Sequence, residues 1–72
     1  MKDAKLFCKV LQNTIKVLSE HALYSKTKLW EELPRVKGAK GGQEYAYMID
    51  ALKLLQSMGE IELIDDLIRV GQ

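Results

Sequence analysis

Three groups of side chains in this 72-residue chain are of types that perform chemistry: Cys8 with His21, the acids Glu60, Glu62, Asp65 and Asp66, and the glycine-rich loop 37–42, Lys-Gly-Ala-Lys-Gly-Gly. A cysteine nucleophile needs a base beside it. Cys8 lies in an apolar helical stripe, where burial is expected, and the one histidine is remote from it in sequence. A single His with no carboxylate at helical ligand spacing around it does not make a zinc site, which leaves His21 a capping or surface role. Clustered carboxylates can do acid–base work or hold a hard cation. Here the alternation Glu60-Ile61-Glu62-Leu63 instead points acids out and aliphatics in along a strand, so a solvated face is expected. A phosphate-cradling loop would place its glycines between a strand and a helix that opens with Lys-Ser/Thr. Gln43-Glu44 follows this loop, which therefore reads as a flexible connection between two helices. No catalytic residue, cofactor or metal site is expected, and the chain is not expected to be an enzyme.

The elements that would position these groups centre on residues 42–70. From Gln43, Ala46, Met48, Ile49, Leu52, Leu55 and Met58 recur at three- and four-residue steps and predict a third helix with one buried face. Its outward face would carry Glu44, Tyr47, Asp50 and Lys53. Gly59 stands where a left-handed helix cap is cheapest. Ile61, Leu63, Leu67 and Ile68 then flank Asp65-Asp66, which predicts a hairpin. The fold class expected is mainly α with a small β-hairpin (α+β), a winged helix-turn-helix of three helices and a C-terminal wing, as one domain over residues 1–72.

The first helix is predicted over residues 4–18, with Leu6, Phe7, Val10, Leu11, Val17 and Leu18 as its stripe and Asp3 as a candidate N-cap. A shoulder of Ala4, Cys8, Leu11, Ile15 and Leu18 widens the apolar arc beyond what two short neighbours would cover, so part of this helix is expected to face a partner. Lys5, Lys9, Gln12, Asn13, Lys16 and Glu20 form the solvated face. Leu23 and Tyr24 suggest a short first strand. Thr27 is the expected N-cap of a second helix through Leu33, with Leu29, Trp30 and Leu33 inward, and Pro34 ends it. Trp30, the only tryptophan, is expected at the centre of the core, the alternative being an interface hot spot.

Length bounds the rest. A core of this size contributes about 3–5 kcal/mol net without a staple, and a lone cysteine offers no internal disulfide, so a partner surface is expected, including a second copy. The unpaired Cys8 fits a reducing cytoplasm. Lys5 and Lys9 interrupt the apolar stretch after Lys2, so no secretion signal is expected, and no apolar run is long enough to span a bilayer. The net charge of +1 exerts no overall pull toward nucleic acid. By region the charge is +2 over residues 1–20, +3 over 21–40, −1 over 41–58 and −3 over 59–72. A DNA-binding winged helix reads the groove with its third helix and the phosphates with its wing, and both segments are acidic here. Phosphate contact would fall to Lys26, Lys28, Arg35, Lys37 and Lys40.

The stretch LWEELPRVKGAKGGQEYAYMIDALKLLQSMGEIELIDDLIRV, with Ile49-Asp50-Ala51-Leu52 through Leu55, Gly59 and Glu60-Ile61-Glu62-Leu63 at its centre, resembles the small middle component of ABC-three-component systems. The resemblance covers residues 23–70. It implies a bacterial conflict or antiphage system in which a small winged-helix protein accompanies an SMC-like ABC ATPase and an effector-type component. The implied role is a non-catalytic adaptor, like the winged-helix subunits of bacterial condensins. Candidate protein contacts are Tyr45, Tyr47 and Leu54, taken as outward on the third helix, with Cys8 and Ile15 on the first. The alternative is a small winged-helix DNA-binding transcriptional regulator using the basic residues 26–40.

Overall fold

The apolar stripe that starts at Leu6 forms a 15-residue helix, α1 (Ala4–Leu18), in a computed structural model that describes residues 4–20, 23–36 and 41–71. Leu6, Val10, Val17 and Leu18 are buried. Thr14, also fully buried, donates its hydroxyl to the Val10 carbonyl at 2.8 Å, so the one polar side chain in the stripe is satisfied within its own helix. Strand β1 (Leu23–Ser25) follows, then α2 (Lys26–Glu32), α3 (Gly41–Ser57), β2 (Ile61–Ile64) and β3 (Leu67–Val70). Asp3, His21 and loop residues 37–40 lie outside the described residues, and with them the expected Asp3 cap, the role of His21 and most of the flexible connection.

The architecture is the α+β one expected: three helices and a small antiparallel sheet of order β1-β3-β2. β3 is central. It pairs Leu23↔Arg69 and Ser25↔Leu67 on one side, and Ile61↔Val70 and Ile64↔Leu67 on the other. The Lys26 amide adds a 3.0 Å bond to the Asp66 carbonyl, fastening the start of α2 to the hairpin turn. The core runs through all these elements, with Leu29, Met48 and Ile68 wholly buried.

Gly59 caps α3 as expected. Its φ is +80°, the Glu60 amide donates to the Leu55 carbonyl and the Gly59 amide to Gln56, the paired bonds of a Schellman stop. The turn that follows β2 has Asp65 at φ +54°, a conformation that Asp tolerates better than most side chains. Gly71 closes the base of the hairpin by donating to the Glu60 carbonyl at 2.8 Å. A Cβ there would stand 2.9 Å from that oxygen, so the approach requires glycine.

Four expectations need correction. The N-cap of α2 is Ser25, whose hydroxyl accepts from the Lys28 amide at 3.0 Å; Thr27 lies inside the helix because Ser25 is the last extended residue before it. Trp30 is only half-buried, and the centre of the core is aliphatic. Cys8 is exposed, since the shoulder of α1 is left uncovered. Finally, α3 begins at Gly41 and its buried arc is displaced. Glu44 and Tyr47, assigned outward, are 5 % exposed, while Ala46 and Met58, assigned inward, are exposed. The buried residues Glu44, Tyr47, Met48, Ala51, Leu52 and Leu55 form one stripe at three- and four-residue steps, rotated from the expected one because it includes a carboxylate and a tyrosine that polarity alone assigns to solvent.

Candidate protein-contact surface

Near their N-terminal ends α1 and α3 meet through the Phe7 and Tyr47 rings, edge-on at 5.9 Å, and at their C-terminal ends Leu18 and Leu55 line one cleft. The two helices therefore run in the same general direction and finish side by side. β2 leaves α3 immediately after this point, and Val70 returns opposite Ile61, so the base of the hairpin forms the third wall. The open cleft between them has a volume of about 300 Å³ and is walled mainly by Ile15, Leu18, Leu55, Met58, Ile61 and Val70. Two of these aliphatic side chains face water to an unusual degree, Ile15 at 47 % and Met58 at 61 % exposure. Leu54, in the last turn of α3, is also exposed, four residues before Met58. Glu60 is the only ionisable side chain among the described residues of the lining.

A second surface feature lies nearer the start of α3. Tyr45 meets Trp30 edge-on at 5.2 Å, and the Arg35 guanidinium stacks 3.8 Å above the Trp30 ring. Arg35 also donates to the Trp30 and Leu33 carbonyls. These bonds explain why the short α2 ends cleanly: its last carbonyls are taken up by the side chain just beyond Pro34. Trp, Tyr and Arg are the residue types that dominate interface energetics.

No protein family, curated protein or solved structure matches this chain. The surface must therefore be interpreted from its own chemistry.

The five candidate contact residues do not form one patch. Ile15 lines the cleft and Leu54 precedes the lining residue Met58 by four residues, while Tyr45 lies nine residues from Leu54, about 14 Å along the helix at 1.5 Å per residue. Cys8 is exposed two turns before Ile15 on α1. Tyr47 is inside the protein. The sequence reading missed Met58, which it placed in the core, and the exposed pair Ile64 and Leu67 beside the hairpin turn. Within the sequence, the only hint of Met58's exposure is its position next to the Gly59 stop, where a helix has begun to leave its packing neighbours.

The basic residues are more committed than their number suggests. Arg35 is held over Trp30, and Lys28 pairs with Glu32 at 3.5 Å on the surface of α2. Lys37 and Lys40 lie outside the described residues; Lys26 is half-buried. On the hairpin, the sole cation, Arg69, is within 3.5 Å of Glu62, while Glu60, Glu62, Asp65 and Asp66 are all exposed, as their alternation predicts. Because Glu44 is internal, the electrostatic case against groove reading rests on the hairpin acids and no longer on the third helix. Among the described residues no group of three or more His, Cys, Asp or Glu side chains could hold a metal ion, and no helix is long and apolar enough to cross a membrane.

One titration is built into the fold. Tyr24, buried on β1, donates its hydroxyl to Glu32 Oε1 at 2.6 Å, and that bond, then desolvation and the nearby negative charges, push its pKa up to about 12. An unfolded tyrosine ionises near 10. Tyr24 thus contributes stability that is fully present below about pH 10 and is lost as pH rises through about 12. Urea melts between pH 9 and 12 should show a decline in stability that is shallower in Tyr24→Phe; equal slopes would show that the bond does not hold the proton.

Proposed function

We propose that this chain is a non-catalytic winged-helix adaptor acting in the bacterial cytoplasm, the middle component of an ABC-three-component system that bridges an SMC-like ABC ATPase and an effector subunit. The observation that carries the proposal is the exposure of large apolar side chains, Ile15 and Met58 in the lining of one cleft beside an acidic hairpin and Leu54 four residues before Met58. A surface of that composition favours protein over phosphate. The hairpin, which a DNA-binding winged helix would lay along the backbone, instead presents four carboxylates and one already paired arginine. The element order and the sheet order β1-β3-β2 accord with the same fold assignment.

Co-expression with an SMC-like ABC ATPase from an ABC-three-component system tests the proposal. The unaltered chain should co-purify with the ATPase; Leu54→Lys should abolish co-purification without changing the melting curve, and Tyr45→Lys should abolish it while lowering the melting temperature only slightly through the lost edge-on contact with Trp30. Retention of the ATPase by both variants would remove these residues from the interface. The chain alone, titrated against a random-sequence duplex, should not bind at about 50 mM salt. Tight binding lost by about 200 mM would favour instead a DNA-binding regulator using Lys26, Lys28, Arg35, Lys37 and Lys40.

A further inference from the structure

We infer that the cleft between the C-terminal ends of α1 and α3 and the base of the hairpin is the seat for an amphipathic segment of a partner protein, one that inserts aliphatic side chains and flanks them with Lys or Arg. The inference rests on the adaptor proposal only in taking the occupant to be protein.

Two independent features of the cleft specify the occupant. The first is its apolar floor. Leu18, Leu55 and Ile61 are buried beneath it, while Ile15 and Met58 stand at its mouth with about half or more of their surface in water. A volume of about 300 Å³ is at the bottom of the range for small-molecule sites, and the wall lacks the convergent polar groups that orient a cofactor. It accommodates a few aliphatic side chains, and Met58, an unbranched thioether, can adjust to their shape.

The second feature is the sign of the potential around the floor. Two helices end here, each bringing the negative end of its dipole, equivalent to roughly half an electron charge. The last turn of α3 contains no basic residue. Glu60 stands in the lining, and the hairpin leading away from it carries Glu62, Asp65 and Asp66 with Arg69 as its only cation. Among the described residues, Lys16 is the one basic side chain in the last turn of either helix. An acidic amphipathic segment would meet like charge on this rim, whereas a basic one completes it. A second copy of this chain would bring the same acidic rim with it, so the electrostatics favour a different, basic partner.

The test uses the whole chain, isotope-labelled for NMR, titrated with two fluorescent 14-residue helical peptides, one built from Leu and Lys and the other with every Lys replaced by Glu. The Leu/Lys peptide should bind and shift the resonances of Ile15, Met58 and Val70 first. The Leu/Glu peptide should bind at least about tenfold more weakly, and the gap should narrow as salt screens the rim. Met58→Lys should weaken the Leu/Lys peptide about tenfold, and Glu60→Gln should weaken it while leaving the Leu/Glu peptide unaffected or slightly improved. Both positions are exposed, and unchanged melting curves will confirm that the fold is kept.

Equal affinity for the two peptides, resonance shifts away from the cleft, or indifference to Met58→Lys would each overturn the inference. So would a concentration-dependent dimer of the chain alone that Met58→Lys dissociates, since the cleft would then belong to a second copy. No ATPase is present in these titrations, so their failure is separate from failure of the co-purification.

Discussion

Replacing Tyr47 by glutamate is expected to leave the chain unfolded at room temperature. Tyr47 is 5 % exposed, packs edge-on against Phe7 and accepts a 3.3 Å hydrogen bond from the Gln43 amide. Removing a buried aromatic side chain costs about 3–5 kcal/mol, and an unpaired carboxylate in its place adds a desolvation cost. A domain of this size has roughly 3–5 kcal/mol in total, so the loss consumes the whole margin. Tyr47→Phe keeps the ring and gives up only a polar contact of about 0.5–1.5 kcal/mol, so it should remain folded. Circular dichroism of the two variants decides the matter. A cooperative melt of Tyr47→Glu near that of the unaltered chain would mean that Tyr47 is a surface residue after all, as its place in the sequence pattern first suggests.

The second large effect concerns Glu44. Its carboxylate is buried in the first turn of α3 and accepts the Val36 amide at 2.9 Å, tying the segment after Pro34 to the helix. The position is favourable twice over: negative charge is welcome at a helix N-terminus, and an otherwise unpaired backbone donor is satisfied. Glu44→Ala should cost about 1–3 kcal/mol, the penalty for a donor left unmade. Glu44→Gln retains an acceptor oxygen and should lose much less. The diagnostic is hydrogen exchange at Val36, whose amide should lose protection in Glu44→Ala and keep it in Glu44→Gln. If Val36 exchanges equally fast in all three proteins, the bond does not organise that segment.

These two residues also mark where the sequence could be read and where it could not. The elements themselves were legible. A four-turn stripe, a proline, a glycine stop and a pair of aspartates between aliphatic runs predict α1, the end of α2, the cap of α3 and the hairpin, because each signal is local. The faces of α3 were not, since apolar periodicity places a stripe correctly only when the buried positions are themselves apolar. The buried stripe is Glu44, Tyr47, Met48, Ala51, Leu52 and Leu55, regular in spacing but opened by a carboxylate and a tyrosine, whereas the apolar residues Ala46 and Met58 that drew the expected stripe lie outside it. Trp30 misleads for a related reason. Its size argues for the core, but the neighbouring Arg35 and Tyr45 give its ring a partly exposed environment that is nearly as good. The cleft was legible only in fragments, because Ile15, Met58 and Val70 are brought together by the return of β3 and by nothing in their spacing.

The order β1-β3-β2 means that the middle strand of the sheet is the last of the elements to be synthesised. While the chain emerges from the ribosome, β1 and β2 are both complete before either has its pairing partner, and Ile68, a fully buried part of the core, is still missing. The nascent protein must therefore wait with two open strand edges and a gap beneath them, a form exposed to aggregation and proteolysis. A message interrupted just before Leu67 would yield no smaller working version of the domain, only a chain for the cell to degrade.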